Sequence, residues 1–160
     1  MQKNKKRKKW RRVRLGEVGK IITGKTPSTK EASNFGGQFP FITIPDLKNQ
    51  RFVIETERTI SEIGAQKMRG LKLPPRTVVM SCLATVGETG ITTRESFTNQ
   101  QINAVICDSQ IIDYKFLYYI FNYLKKLLKQ YDGSVYINIS KSKFANLEVE
   151  IPSIDMQKRI

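Results

Sequence analysis

Only one segment of this chain carries a sustained helical period. Apolar residues fall at Phe116, Leu117, Ile120, Phe121, Leu124, Leu127, Leu128 and Tyr131, three or four apart, so they line one face of a long amphipathic helix. Asp113 stands where an N-cap carboxylate accepts the first free N–H groups, and Lys125, Lys126 and Lys129 fill the last turns, where cations suit the helix dipole. Asp132 and Gly133 end it. Every other apolar run is short. TVVMSC (77–82) and INAVIC (102–107) are continuous, the pattern of strands buried on both faces. FPFITIP (39–45), bounded by prolines, and RFVIETERTI (51–60) read as further strands, and LEVEI (147–151) alternates as one. Ser61 and Ser140 can cap short helices reaching Lys67 and Asn146. An apolar element over 13–22 leads into a loop, TGKTPSTK, that continues through Asn34, Gly36 and Gly37, while Gly87 and Gly90 mark a turn. Strands and helices do not alternate, so the expected class is α+β with a mixed sheet, not a doubly wound fold.

A chain of 160 residues with 39% apolar content can bury a core. No apolar run approaches the roughly 18 residues a membrane span needs. The basic start MQKNKKRKKW has no apolar segment behind it and is no secretory signal, so a cytoplasmic chain is expected, with Cys82 and Cys107 reduced and buried in their strands. There is no histidine, which removes every His-dependent triad, zinc site and general base. The net charge is +14, and residues 1–14 hold nine Lys or Arg and no acid. Residues 1–9 read as a disordered basic arm attracted to a polyanion, nucleic acid above all, and the folded part begins at Trp10.

Two motifs suggest catalysis. GKIITGKT (19–26) fits the phosphate-cradling pattern G-x-x-x-x-G-K-[ST], with Lys25 and Thr26 in the phosphate and magnesium positions, and a P-loop-like nucleotide-binding enzyme is the alternative it offers. Its context is wrong: RRVRLGEV in front is broken by charge, and Pro27 pushes Thr26 away from helical geometry. Pro45 and Asp46 begin like a nuclease metal site, but no Glu-x-Lys triplet follows anywhere. Neither cofactor nor metal is called for, and a non-catalytic binding module is the better reading.

Three polar clusters suit nucleic acid. The first is GKTPSTK (24–30), with two lysines and three hydroxyls. The second is FTNQQIN (97–103), whose Asn and Gln side chains suit adenine edges. The third is GSVYINISKSK (133–143). A solvated loop, a satisfied turn and a helix cap explain each cluster without function, and a non-specific nucleic-acid scaffold would need no more.

In order, W-x4-LGEV (Trp10, then 15–18), TGKTPS (23–28), FPFITIPDL (39–47), LPPRTVVMSCLATVGETGIT (73–92), FTNQQINAVI (97–106) and SKSKFANLEVEIPSIDMQKRI (140–160) run through nearly the whole chain. This series resembles the target recognition domain of a Type I restriction-modification specificity subunit. The resemblance implies an α+β fold with a double-β-helix-like sheet and no catalytic role. It implies sequence-specific binding of duplex DNA, one half of a bipartite target per domain, beside modification (methyltransferase) and restriction subunits. The recognition domain would occupy 10–152, and 153–160 would open the conserved spacer helix, so the chain reads as a half-subunit or truncated form that could pair with a second copy. Lys25, Thr26, Ser28 and Lys30 are then expected on phosphates, with bases as a second contact. Asn99, Gln100 and Gln101 are either base readers or turn formers, since the family shares that stretch across different targets. Tyr136, Asn138, Ser140, Lys141 and Lys143 complete the candidates.

Overall fold

The computed structural model describes residues 10–131 and 138–160. The expected arm at 1–9, the helix stop at Asp132 and Gly133, and Tyr136 lie outside them.

The continuous apolar runs become central strands for a visible reason: they are sandwiched. Strands β1 (Arg11–Arg14), β2 (Gly19–Thr23), β3 (Phe35–Ile42), β4 (Phe52–Val53), β5 (Arg58–Ile60), β6 (Val78–Ser81), β7 (Thr89–Thr92), β8 (Phe97–Thr98), β9 (Ile102–Cys107) and β10 (Glu148–Ile151) form three sheets. The main sheet has the order β2-β9-β6-β7-β4, antiparallel except for the β4–β7 pair. On one face Val78, Met80, Val105 and Ile21 pack with Leu117 and Phe121 of the long helix. On the other face Val79, Ala104 and Ile22 pack with Ile42, Leu47 and Val53. Alternate residues thus enter different cores, so no position in the run can be polar without cost. A smaller sheet, β5-β3-β8, covers a third cluster of Phe39, Phe41, Ile60, Met68 and Phe97.

Helices α1 (Leu15–Val18), α2 (Ile44–Leu47), α3 (Glu62–Lys67), α4 (Tyr114–Tyr131), α5 (Lys141–Ala145) and α6 (Ile154–Gln157) fill the connections. The caps foreseen from sequence are in place. Asp113 Oδ1 accepts from the backbone N–H of Lys115 and Phe116 at 2.9 and 3.1 Å, Ser61 from Gly64 at 3.1 Å, and Ser140 from Lys143 at 3.2 Å. The strand β1 pairs antiparallel with β10, Val13 facing Val149, and Arg12 lies 3.7 and 3.9 Å from Glu148 and Glu150.

Several sequence expectations are corrected. The element over 13–22 is a strand, a helical turn and a second strand, because Glu17 returns to the Arg14 N–H at 2.6 Å and turns the chain at Leu15. FPFITIP is strand only to Ile42. Pro45 then lies inside α2, where a first-turn proline costs no hydrogen bond. Residues 51–60 do not form one strand. They break into β4 and β5 in different sheets, with Glu57 N–H donating to Asp46 Oδ1 at 2.9 Å at the break. The expected loop at Gly36 and Gly37 is the start of β3, which passes so close to Ser61 that a Cβ on Gly37 would lie 2.4 Å from the Ser61 Cα. Gly87, at φ +96, makes its turn, but Gly90 belongs to β7. Cys82 is buried, whereas Cys107 is only half-buried.

Candidate nucleic-acid interface

Strands β2 and β6 finish, and β9 begins, at the same end of the main sheet, because β9 runs antiparallel to both. The GKT loop leaves this end after β2 and the NQQ loop enters it before β9, and the third cluster reaches it at Ile139. Gly24 N–H donates to Ile102 O at 3.2 Å and Lys25 N–H to Thr98 O at 3.0 Å, so the GKT loop is laid against the NQQ loop. Contact is so close that a Cβ on Gly24 would fall 2.2 Å from the carbonyl oxygens of Thr98 and Asn99. Thr26 Oγ1 donates to Gln100 Oε1 at 2.6 Å.

The third cluster joins through Cys82 and Asn103, neither of them a site candidate from sequence. Cys82 N–H donates to Gln101 O at 2.7 Å, and Ile139 N–H to Cys82 O at 2.9 Å. Asn103, buried at the start of β9, accepts from Thr23 Oγ1 at 2.6 Å and donates through Nδ2 to Ile139 O at 3.3 Å. A buried Asn between two apolar neighbours in INAVIC is the signal that could have found it, since a buried carboxamide needs partners.

The candidates separate by what they already do. Asn99 Oδ1 accepts from Gln101 N–H at 3.1 Å, and Asn99 Nδ2 donates to Gln101 Oε1 at 3.3 Å, so these two build the turn. Gln100, between them, is exposed and has its Nε2 donors unspent among the described residues. Ser140 is the cap of α5. Asn138, Lys141 and Lys143 are exposed beside it, as are Lys25, Ser28 and Lys30 on the first loop. None of these four lysines has an ion pair among the described residues. Lys30 and Ser28 sit in a turn of their own, where Ser28 O accepts from Asn34 Nδ2 at 3.0 Å, and no hydrogen bond among the described residues joins their side chains to Gln100. The exposed edge therefore offers uncommitted amide donors between cations, the combination that suits base edges flanked by phosphates.

The phosphate-loop alternative is not favoured. Residues 19–23 are strand β2, hydrogen-bonded to β9, and the N–H groups of Gly24 and Lys25 are spent on Ile102 and Thr98. A phosphate nest needs those N–H groups free and convergent. Asp46 is equally committed, its Oδ2 accepting from Thr43 N–H and Oγ1 and its Oδ1 from Glu57 N–H.

A mixed α+β domain with one end of its sheet built from polar, cationic loops defines a binding module. Residues 7–160 match the family described as Type I restriction modification DNA specificity domain, and the chain belongs to that family. It is 37% identical over 150 residues to the Type I restriction enzyme HindI specificity subunit of Haemophilus influenzae, covering 90% of this chain and 32% of that protein. It is 28% identical to the MjaIX specificity subunit of Methanocaldococcus jannaschii, over 96% of this chain and 36% of that protein. The chain therefore spans about a third of the length of these relatives. Among solved structures, the HsdS subunit from Thermoanaerobacter tengcongensis superposes with a TM-score of 0.73 at 23% identity, covering 94% of this chain and 35% of that one, which shows a shared fold. A chain from a solved type I R-M system gives 0.74 at 25% identity, over 94% and 36%.

Proposed function

We propose that this chain reads one half of a bipartite duplex DNA target for a Type I restriction-modification enzyme, and that it does so without catalysis. The observation that supports the reading is the joining of the GKT and NQQ loops at one end of the main sheet, with Thr26 bonded to Gln100 and Ile139 of the third cluster tied alongside through Cys82 and Asn103. Gln100 and Asn138 present carboxamides to base edges. Lys25, Lys30, Lys141 and Lys143 meet phosphates, which position the duplex without specifying sequence. Asn99, Gln101 and Ser140 hold the loops, and Tyr136 is a further candidate contact. The basic arm at 1–9 adds affinity for any duplex.

Residues 10–152 form the recognition domain, with a double-β-helix-like sheet arrangement, and 153–160 begin the spacer helix. The domain directs methyltransferase and restriction subunits to its site, in the cytoplasm where both DNA and partners are. Two copies pairing through that helix would read the two halves of a split target. Selection of bound sequences from a random duplex pool tests the proposal. Enrichment of one short motif supports it, and an unselected pool refutes it in favour of a general scaffold.

A further inference from the structure

A second cationic site lies at the opposite end of the main sheet. Arg76 N–H donates to Thr92 O at 2.8 Å just before β6 begins, whereas the loops of the candidate interface leave where β6 ends. Here a cavity of about 580 Å³ gathers Arg51, Arg76, Lys115, Lys158 and Arg159, with Asp113 as the one acidic side chain in its wall and Ile160 beside them. Asp113 is already engaged, since its Oδ1 caps the first turn of α4 through Lys115 and Phe116 N–H.

Elsewhere Arg12 lies near Glu148 and Glu150, and Lys125 lies 2.7 Å from Glu88. In this cavity none of the five cations has a carboxylate partner among the described residues. Aromatic faces hold three of them instead. The Arg51 guanidinium carbon lies 4.9 Å from the Tyr119 ring centre and 5.2 Å from that of Tyr118. Arg76 and Lys115 share the Tyr114 ring at 5.8 and 5.9 Å. A ring face positions a cation but accepts none of its N–H donors in the ring plane. Arg51 Nε is buried with no acceptor among the described residues, which is costly unless an acceptor arrives. Arg76 adopts a left-handed backbone, φ +65, unusual for a side chain of its size. Five clustered cations and an orphaned guanidinium donor in one wall favour an anion there.

We propose that this cavity binds a phosphate group, taken bidentately by the forks of Arg51 and Arg76. The group is either the phosphate of a free nucleotide or one phosphate of a nucleic-acid backbone. The inference is independent of the base-reading edge, because it concerns residues at the other end of the sheet.

The test titrates the full chain with pyrophosphate, AMP and a 12-base-pair duplex, by isothermal titration and by amide NMR shifts. Two variants are compared with the parent. Arg76→Gly removes the fork while keeping the left-handed backbone, which glycine adopts without strain. Lys25→Ala alters the opposite end only. If a free nucleotide is the source, pyrophosphate and AMP bind with shifts near Arg51 and Tyr114, and Arg76→Gly weakens them roughly tenfold while Lys25→Ala does not. If a backbone phosphate is the source, the small probes bind weakly or not at all. Arg76→Gly then lowers affinity for every duplex by a similar factor and flattens the salt dependence by about one phosphate contact. Unchanged binding of all three probes in Arg76→Gly, confirmed as folded by its thermal melt, overturns the proposal. Loss of motif selection with intact pyrophosphate binding would instead count against the DNA-reading function alone.

Discussion

Thr26 Oγ1 donates to Gln100 Oε1 at 2.6 Å across 74 positions of sequence, and that bond fixes which end of the Gln100 carboxamide faces outward. With Oε1 committed, Nε2 is the free donor, so Gln100 is set to approach an acceptor on a base edge. Thr26→Val keeps the shape and removes the donor. The expected stability change is within about 1 kcal/mol, since one net hydrogen bond is worth about that. DNA affinity falls several-fold because the carboxamide regains rotation. Paired denaturation and fluorescence-anisotropy titrations separate the two effects.

Gly24→Ala should behave differently. Its new Cβ would meet two backbone carbonyls at 2.2 Å, which no rotamer change relieves. A loss of about 1–3 kcal/mol is expected from forced separation of the two loops, read as a lower urea midpoint with an unchanged slope.

Asn103→Leu strands the Thr23 hydroxyl and the Ile139 carbonyl together. The expected cost is about 2–5 kcal/mol, from leaving buried polar groups unpaired. Asn103→Asp, which can still accept from Thr23, should retain more of the stability near pH 5 than at pH 8, because burial favours its neutral form.

Those three positions show what the sequence made legible and what it did not. The sandwiched strands TVVMSC and INAVIC, the caps at Ser61, Asp113 and Ser140, and the core-facing residues from Phe116 to Leu124 follow from local rules, and all are present. The family motifs carried the functional class. Hidden from local rules was anything set by partners far along the chain. Residues 51–60 look like one alternating strand, and only contacts with β7 on one side and β3 on the other divide them. Arg51 sits in that stretch as an ordinary charge until α4 brings Tyr118 and Tyr119 beneath it. The phosphate-loop spacing of 19–26 was likewise readable, but its N–H groups are consumed by residues near 98 and 102, which no local pattern reports.

The thiols give a pH prediction. Burial pushes Cys82 up to about 11, and burial with the nearby Asp113 carboxylate pushes Cys107 up to about 12, from an ordinary 9.0. Below pH 9 both folded and unfolded thiols keep their protons, so they add no pH dependence. Above it the unfolded thiol ionises first, and stability falls with rising pH until the folded thiol ionises too. For Cys82 the loss between about pH 9 and 11 is on the order of 2–3 kcal/mol. Cys82→Ala should flatten the denaturation midpoint across that range. At pH 7.5 native Cys82 should resist alkylation, and rapid labelling would contradict its burial.

Alone, the chain should prefer its half-site only modestly, because few base pairs are read and each wrong one costs about 1–3 kcal/mol. Linking two copies through an extended helix should sharpen binding on split-site DNA at one spacer length, since the second contact becomes intramolecular. A sharp optimum for the unextended 160-residue chain would mean that pairing uses another surface.

The most direct test of the reading edge is a binding panel. Each single-base variant of the selected half-site is titrated with the parent chain and with Gln100→Ala. Base reading by Gln100 predicts that discrimination collapses by about 1–3 kcal/mol at one position and persists at the others. Discrimination unchanged at every position, with affinity lowered equally or not at all, would contradict it and leave Gln100 a turn residue.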